Sequence, residues 1–113
     1  MLKKIECIVQ PFKLDEIKEA LNEIAVEGMT VTEVRGCGLQ KGYRENEKPE
    51  KTITLKPKIK IEIVTSEEKV ETLISTIQRY ARTGQIGAGK IFVYPVEDAV
   101  RIRTSESGAR AIS

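Results

Sequence analysis

Residues 83–93 read TGQIGAGKIFV, and the setting of that stretch decides the fold. Gly84, Gly89 and Lys90 have the spacing of a phosphate-binding loop: a glycine, four residues, then Gly-Lys. Such a loop leaves a strand and opens a helix, so that the helix N-terminus meets the phosphates. Here the order is reversed. Upstream, SEEKVETLISTIQRYARTG (66–84) carries Val70, Leu73, Ile74, Ile77 and Ala81 at helical spacing, with Ser66 as an N-cap candidate that lacks the reciprocal acidic partner. Downstream, KIFVYPV (90–96) reads as a strand. Ile91 also stands where a magnesium-holding Ser or Thr belongs. The stretch is a helix-to-strand turn and not a Walker motif.

Working outward, LKKIECIV (2–9) is short and roughly alternating, a strand ended by Pro11. LDEIKEALNEIAVEG (14–28) places Leu14, Ile17, Leu21 and Ile24 on one helical stripe. Asp15 and Glu16 lie in its first turn, where the helix dipole favours them, and Gly28 is its expected C-terminal cap. MTVTEVRG (29–36) alternates again, and KIKIEIV (58–64) sets Lys and Glu against Ile as a half-buried strand. AVRIRT (99–104) reads as a short fifth strand and 104–113 as a small, polar, mobile tail. The order βαββαβ predicts an α+β, ferredoxin-like plait: an antiparallel sheet with both helices on one face. The other face is expected to be apolar and to need covering, most simply by copies of the same chain.

Composition narrows the function. A chain of 113 residues makes one domain, burying roughly two-thirds of its unfolded surface. A net charge of +2, with two Phe, three Tyr and no Trp, argues against a basic, base-stacking nucleic-acid surface. The absence of histidine removes Cys/His metal sites and the commonest catalytic base. Cys7 and Cys37 are expected to be buried, reduced thiols. No apolar run reaches membrane-spanning length, so the expectation is a cytoplasmic protein with no membrane insertion. The glycines of 84–89 permit a nest of backbone N–H groups, with Lys90 adjacent and Arg101 and Arg103 two apart on an extended segment. That pattern fits a polyphosphate site. It fits equally a plain turn with solvated basic residues.

QPFKLDEIKEAL (10–21), GMTVTEVRGCG (28–38), QKG (40–42), PKIKIEIV (57–64) and ARTGQIGAGKIFVYPVEDAVRIRT (81–104), with the gaps between them, resemble the PII nitrogen-regulatory signal proteins over nearly the whole chain. The resemblance implies a homotrimer of ferredoxin-like subunits with clefts between them that bind ATP or ADP. It implies Mg2+ bound with ATP, 2-oxoglutarate as effector, and a long T-loop (about 39–56) that acts on a target protein such as a transporter, a metabolic enzyme or a transcription regulator. By resemblance Ile8, Thr30, Gly36, Glu62 and Val64 line the adenine and ribose. Gly38, Thr83, Gly87, Gly89, Lys90, Arg101 and Arg103 hold the phosphates. Gln40 ligates magnesium, and Lys58, with Gln40, Lys41, Gly42 and Gly87, receives 2-oxoglutarate. Tyr43, Arg44 and Lys48 belong to the partner-binding loop. Taken alone, Lys58 or Glu62 reads as the solvated face of a strand.

The chain departs from the family pattern at Leu39, where an arginine is usual, and at Cys37 and Ala88. The T-loop YRENEKPEKTITLKPK (43–58) lacks the usual tyrosine-bearing apex and contains no serine, so neither uridylylation nor serine phosphorylation is expected there. Three other readings are open: a PII-like sensor of adenine nucleotides or another small anion without a 2-oxoglutarate response, a weak ATP-hydrolysing enzyme, and a nucleic-acid adaptor. The inventory disfavours the last two.

Overall fold

The computed structural model describes residues 1–37 and 53–113. Strand β1 (Leu2–Val9) leads through a 3-10 turn (Pro11–Lys13) into helix α1 (Leu14–Glu23). Strands β2 (Thr30–Gly36) and β3 (Lys56–Ser66) follow, then a 3-10 turn (Glu67–Lys69), helix α2 (Val70–Ala81), strand β4 (Gly89–Val96) and a one-turn helix α3 (Ala109–Ile112). The sheet order is β2-β3-β1-β4, antiparallel throughout. This is the expected α+β ferredoxin-like plait.

Alternation along the central strands puts Ile5, Cys7 and Val9 of β1 opposite Ile63, Ile61 and Ile59 of β3, all on one face. Against them pack Ile17 and Leu21 of α1 and Leu73, Ile77 and Ala81 of α2, forming the core cluster of the described residues. Each buried Ile or Leu contributes about 1.5–3 kcal/mol. The helices are therefore held by their stripes.

Several expectations shift. Helix α1 stops at Glu23, not at Gly28: Ala25 takes the left-handed conformation (φ 55°), and its N–H bonds to the Asn22 carbonyl. Ile24, placed on the buried stripe by spacing, is thereby exposed. Ser66 makes no side-chain cap, because a 3-10 turn intervenes before α2. AVRIRT is not a fifth strand. It is a turn tied by an isolated Val100–Ser107 bridge, so Arg101 and Arg103 do not lie on an extended segment. The 104–113 tail has defined form, including α3. Cys7 is buried as expected, but Cys37 is exposed at the end of β2. Among the described residues, no helix is long and apolar enough to cross a membrane.

The second face of the sheet is not the apolar one expected. Lys4, Glu6 and Ile8 of β1 share it with Lys58, Lys60, Glu62 and Val64 of β3 and Lys90, Phe92 and Tyr94 of β4. The isoleucines of KIKIEIV all turn toward the helices, so this face receives that strand's charges. Lys4 bonds the Glu62 carboxylate at 3.1 Å, Lys60 lies 3.8 Å from it, and the Tyr94 hydroxyl donates to Glu6 at 3.1 Å.

Candidate functional site

Register places much of the expected site on that open face. Thr32, Lys60, Ile8 and Lys90 stand in one cross-strand row, and Thr30, Glu62, Glu6 and Phe92 in the next. Lys58, opposite Val34, lies one row beyond the first, and Val64, opposite Lys4, one row past the second. Directly opposite residues share a face and approach within side-chain reach. Ile8, Thr30, Lys58, Glu62, Val64 and Lys90 therefore line one surface, with lysines 58, 60 and 90 toward the end where the glycine turn lies.

That turn connects α2 to β4. Gly84, Gly87 and Gly89 have φ of 75°, 91° and 123°, values that side-chain-bearing residues rarely adopt. Thr83 closes the turn locally: its hydroxyl accepts the Gln85 N–H at 3.2 Å and donates to the Gln85 carbonyl at 3.3 Å. At Gly89 an added Cβ would meet the Ile8 carbonyl oxygen at 2.0 Å. The absence of a side chain at Gly89 thus serves strand approach, a constraint separate from any ligand.

Gln10 was missed from sequence. Its Nε2 donates to the Gly87 carbonyl at 2.6 Å, pinning the turn to the end of β1 across 77 positions of chain. The only sequence signal is a polar residue directly before Pro11. A cavity of about 320 Å³ adjoins the turn, lined by Val9, Ile77, Ala81, Ala88, Lys90 and Ile91 among others.

Electrostatics on the face are paired. The Glu62 carboxylate, by accepting its hydrogen bond, holds the Lys4 ammonium above its ordinary value against the opposing pull of burial. The bond to Glu6 raises the Tyr94 phenol likewise. Burial pushes the Cys7 thiol up to about 11, so it is no nucleophile. Among the described residues no group of three or more Cys, Asp or Glu side chains forms a metal site.

Arg101 and Arg103 part company. The Arg101 guanidinium is half-buried against its own tail, 3.5 Å from Glu106, and donates to the Ser113 main-chain oxygen, whereas Arg103 is exposed. Gly36 faces Lys56 at the end of β2, and a Cβ there would meet only ordinary contact with the Lys58 side chain. Gly38, Leu39, Gln40, Lys41, Gly42, Tyr43, Arg44 and Lys48 lie outside the described residues.

Comparison with known proteins follows the same outline. A family model described as nitrogen regulatory protein P-II matches residues 2–106. Nitrogen regulatory protein P-II of Rhodospirillum rubrum and that of Azospirillum brasilense are each 54% identical over 112 residues, covering 98% of this chain and all of theirs. The crystal structure of Arabidopsis thaliana PII bound to citrate superposes with a TM-score of 0.80 at 40% identity, covering 98% of this chain and 89% of that one.

Proposed function

The chain belongs to the P-II family of nitrogen regulatory proteins, and from that premise we propose that it is a non-enzymatic regulator that binds ATP or ADP between the subunits of a homotrimer. One observation carries the reading: the turn at Gly84–Gly89, with three positive-φ glycines, is anchored by Gln10 beside Lys90 on a lysine-bearing sheet face. Backbone N–H groups freed by positive φ form an anion cradle, and ammonium groups nearby favour phosphate over neutral ligands. Citrate on the Arabidopsis relative is a precedent for a polyanion on this fold.

In this reading Lys90 and the N–H groups of Gly87 and Gly89 meet phosphate, while Ile8, Thr30, Gly36, Glu62 and Val64 receive the nucleoside. Arg101, Arg103, Thr83 and Gly38 complete the phosphate contacts. Lys58 is the cation for the carboxylate of 2-oxoglutarate, with Gln40, Lys41 and Gly42 beside it. The described residues supply no carboxylate set for magnesium, so Mg2+ would enter with ATP and take Gln40 as its protein ligand. It would supply charge neutralisation on the phosphates. The output is a population shift: ligand binding favours one arrangement of the loop bearing Tyr43, Arg44 and Lys48, and a few kcal/mol of differential affinity is enough to switch a target protein. Neither direct nucleic-acid binding nor membrane insertion belongs to this reading, and its setting is the cytoplasm.

Calorimetric titration with ATP, ADP and AMP, then with 2-oxoglutarate over saturating Mg-ATP, tests the assignment. Nucleotide binding is expected at one site per chain, with three chains per particle in sedimentation. Arg103→Ala should weaken ATP binding by about 1.5–3 kcal/mol. Undiminished binding by that variant removes Arg103 from the site. Leu39 and the citrate-bound relative favour one second reading, a sensor of nucleotide or another polyanion with no 2-oxoglutarate response. Binding of ATP and citrate, but not of 2-oxoglutarate, would select it.

A further inference from the structure

The Arg101 side chain is already in use. Its Nη1 lies 3.5 Å from Glu106 Oε1, and its Nη2 donates to the main-chain oxygen of Ser113. Its backbone N–H donates to the Glu106 carbonyl and its own carbonyl accepts the Ser105 N–H, both at 2.8 Å. Glu106 is aimed by the Thr104 hydroxyl, which donates to the same Oε1 at 2.8 Å. Asp98 Oδ1 accepts the N–H groups of Ala99 (2.8 Å) and Gly108 (3.0 Å), closing the loop from below. Residues 98–113 thus fold around one guanidinium, with acceptor oxygens on two of its nitrogens.

We propose that Ser105–Ser113 is a tethered competitor for the Arg101 guanidinium, so that a phosphate-bearing ligand takes that side chain only by releasing the tail. The inference rests on the reading that Arg101 contacts phosphate. A guanidinium presents a planar fork suited to carboxylate and phosphate alike, and the fork seats one bidentate acceptor at a time. Here the tail's oxygens occupy it. The tail is also built to let go. Helix α3 has four residues and buries none of them. Ser105 sits at φ 64°, a left-handed conformation that costs a non-glycine residue energy and that release would relax. The attachments are polar: Glu106 and Ser113 hold the guanidinium, while the Gly108 N–H is held by Asp98 and the Ala99 carbonyl, so exchanging Glu106 for phosphate replaces one charge-assisted pair by another and loosens the segment. Nucleotide occupancy would then be reported at the C-terminal segment as well as at the T-loop.

The test combines Mg-ATP calorimetry on the full chain and on Glu106→Gln, Thr104→Val and Arg101→Ala with amide hydrogen exchange at Gly108 and Ala111. The expected result has three parts: Glu106→Gln binds Mg-ATP about threefold to tenfold more tightly, Thr104→Val shifts the same way by less, and saturating Mg-ATP accelerates exchange at both amides. Arg101→Ala should weaken Mg-ATP and show fast exchange without ligand. Weakened binding by Arg101→Ala, with Glu106→Gln unchanged and exchange unaffected by Mg-ATP, overturns the competition and leaves the phosphate assignment standing. Parental affinity in Arg101→Ala overturns both.

Discussion

At Gly89 the backbone of β4 passes so close to β1 that a methyl group would stand 2.0 Å from the Ile8 carbonyl oxygen, at a φ of +123°. Relaxation by a flexible side chain cannot relieve that contact, because the atom in the way is main chain. Gly89→Ala should therefore lower stability by at least about 2 kcal/mol, combining backbone strain with displacement of the strand. Urea denaturation reads this directly, and an unchanged midpoint would mean that the two strands do not approach as described. Gly84, also at positive φ but with open space around its α-carbon, should tolerate the same change with strain alone. The glycine content of 84–89 was legible as permissive backbone. Which glycine is required by packing was not, because the deciding atom belongs to a residue 81 positions earlier, and only the β1–β4 register brings it there.

At the scale of elements, strands were read best where both of their faces are specified. In KIKIEIV the isoleucines fix one face to the helices and leave the lysines and glutamate on the other, and the strand runs Lys56–Ser66 with that alternation held from Lys58 to Ser66. The same alternation also decides the character of the open face, which is charged and not apolar because the register gathers Lys4, Glu6, Lys58, Lys60, Glu62 and Lys90 on it. Helix ends were read less well. Ala25 rather than Gly28 turns the chain after α1, since a hydrogen bond to Asn22 offsets part of the left-handed cost. Linkers that cross between elements were least legible, and Gln10 is the instructive case: one bond of 2.6 Å joins the end of β1 to the turn before β4. Gln10→Leu removes the donor at similar bulk. Because the glycine turn is half exposed and the core lies elsewhere, the variant should keep nearly parental stability, within about 1 kcal/mol. Mg-ATP affinity should fall several-fold as the Gly87 carbonyl is freed to rotate. Loss of stability without loss of affinity would assign Gln10 to the scaffold instead.

For the molecule as a whole, the titrating groups point one way. The chain has no histidine, so no side chain of ordinary pKa changes charge around neutrality, and stability should be flat from about pH 6 to 8. On the alkaline side Cys7 is raised from 9.0 to about 11 by burial, Tyr94 is raised from 10.0 by its bond to Glu6, and Lys4 is raised from 10.5 by its bond to Glu62. In each case the folded chain holds its proton to higher pH than the unfolded chain does. The unfolded state therefore binds fewer protons in that window, and stability falls as pH rises. Each contribution is complete below the group's ordinary value and is lost above it, the thiol first, between 9.0 and about 11. On the acid side Glu68 is lowered by hydrogen bonds to its own backbone N–H and to Ser66, so its contribution is lost as pH falls through its depressed value. Urea midpoints from pH 6 to 11 should show a plateau and then a decline, and Cys7→Ala should delay the onset. A midpoint that rose between pH 9 and 11 would contradict the burial of Cys7. The Lys4–Glu62 and Tyr94–Glu6 pairs lie on the open face, where exposure makes them weak contributors in a single chain. Covered by neighbouring copies, the same pairs would be desolvated, and loss of one partner would become costly. The alkaline decline should accordingly depend on protein concentration if the face is buried in a trimer. If Lys4→Ala left both the sedimentation coefficient and that dependence untouched, the open face would not be the surface through which the copies meet.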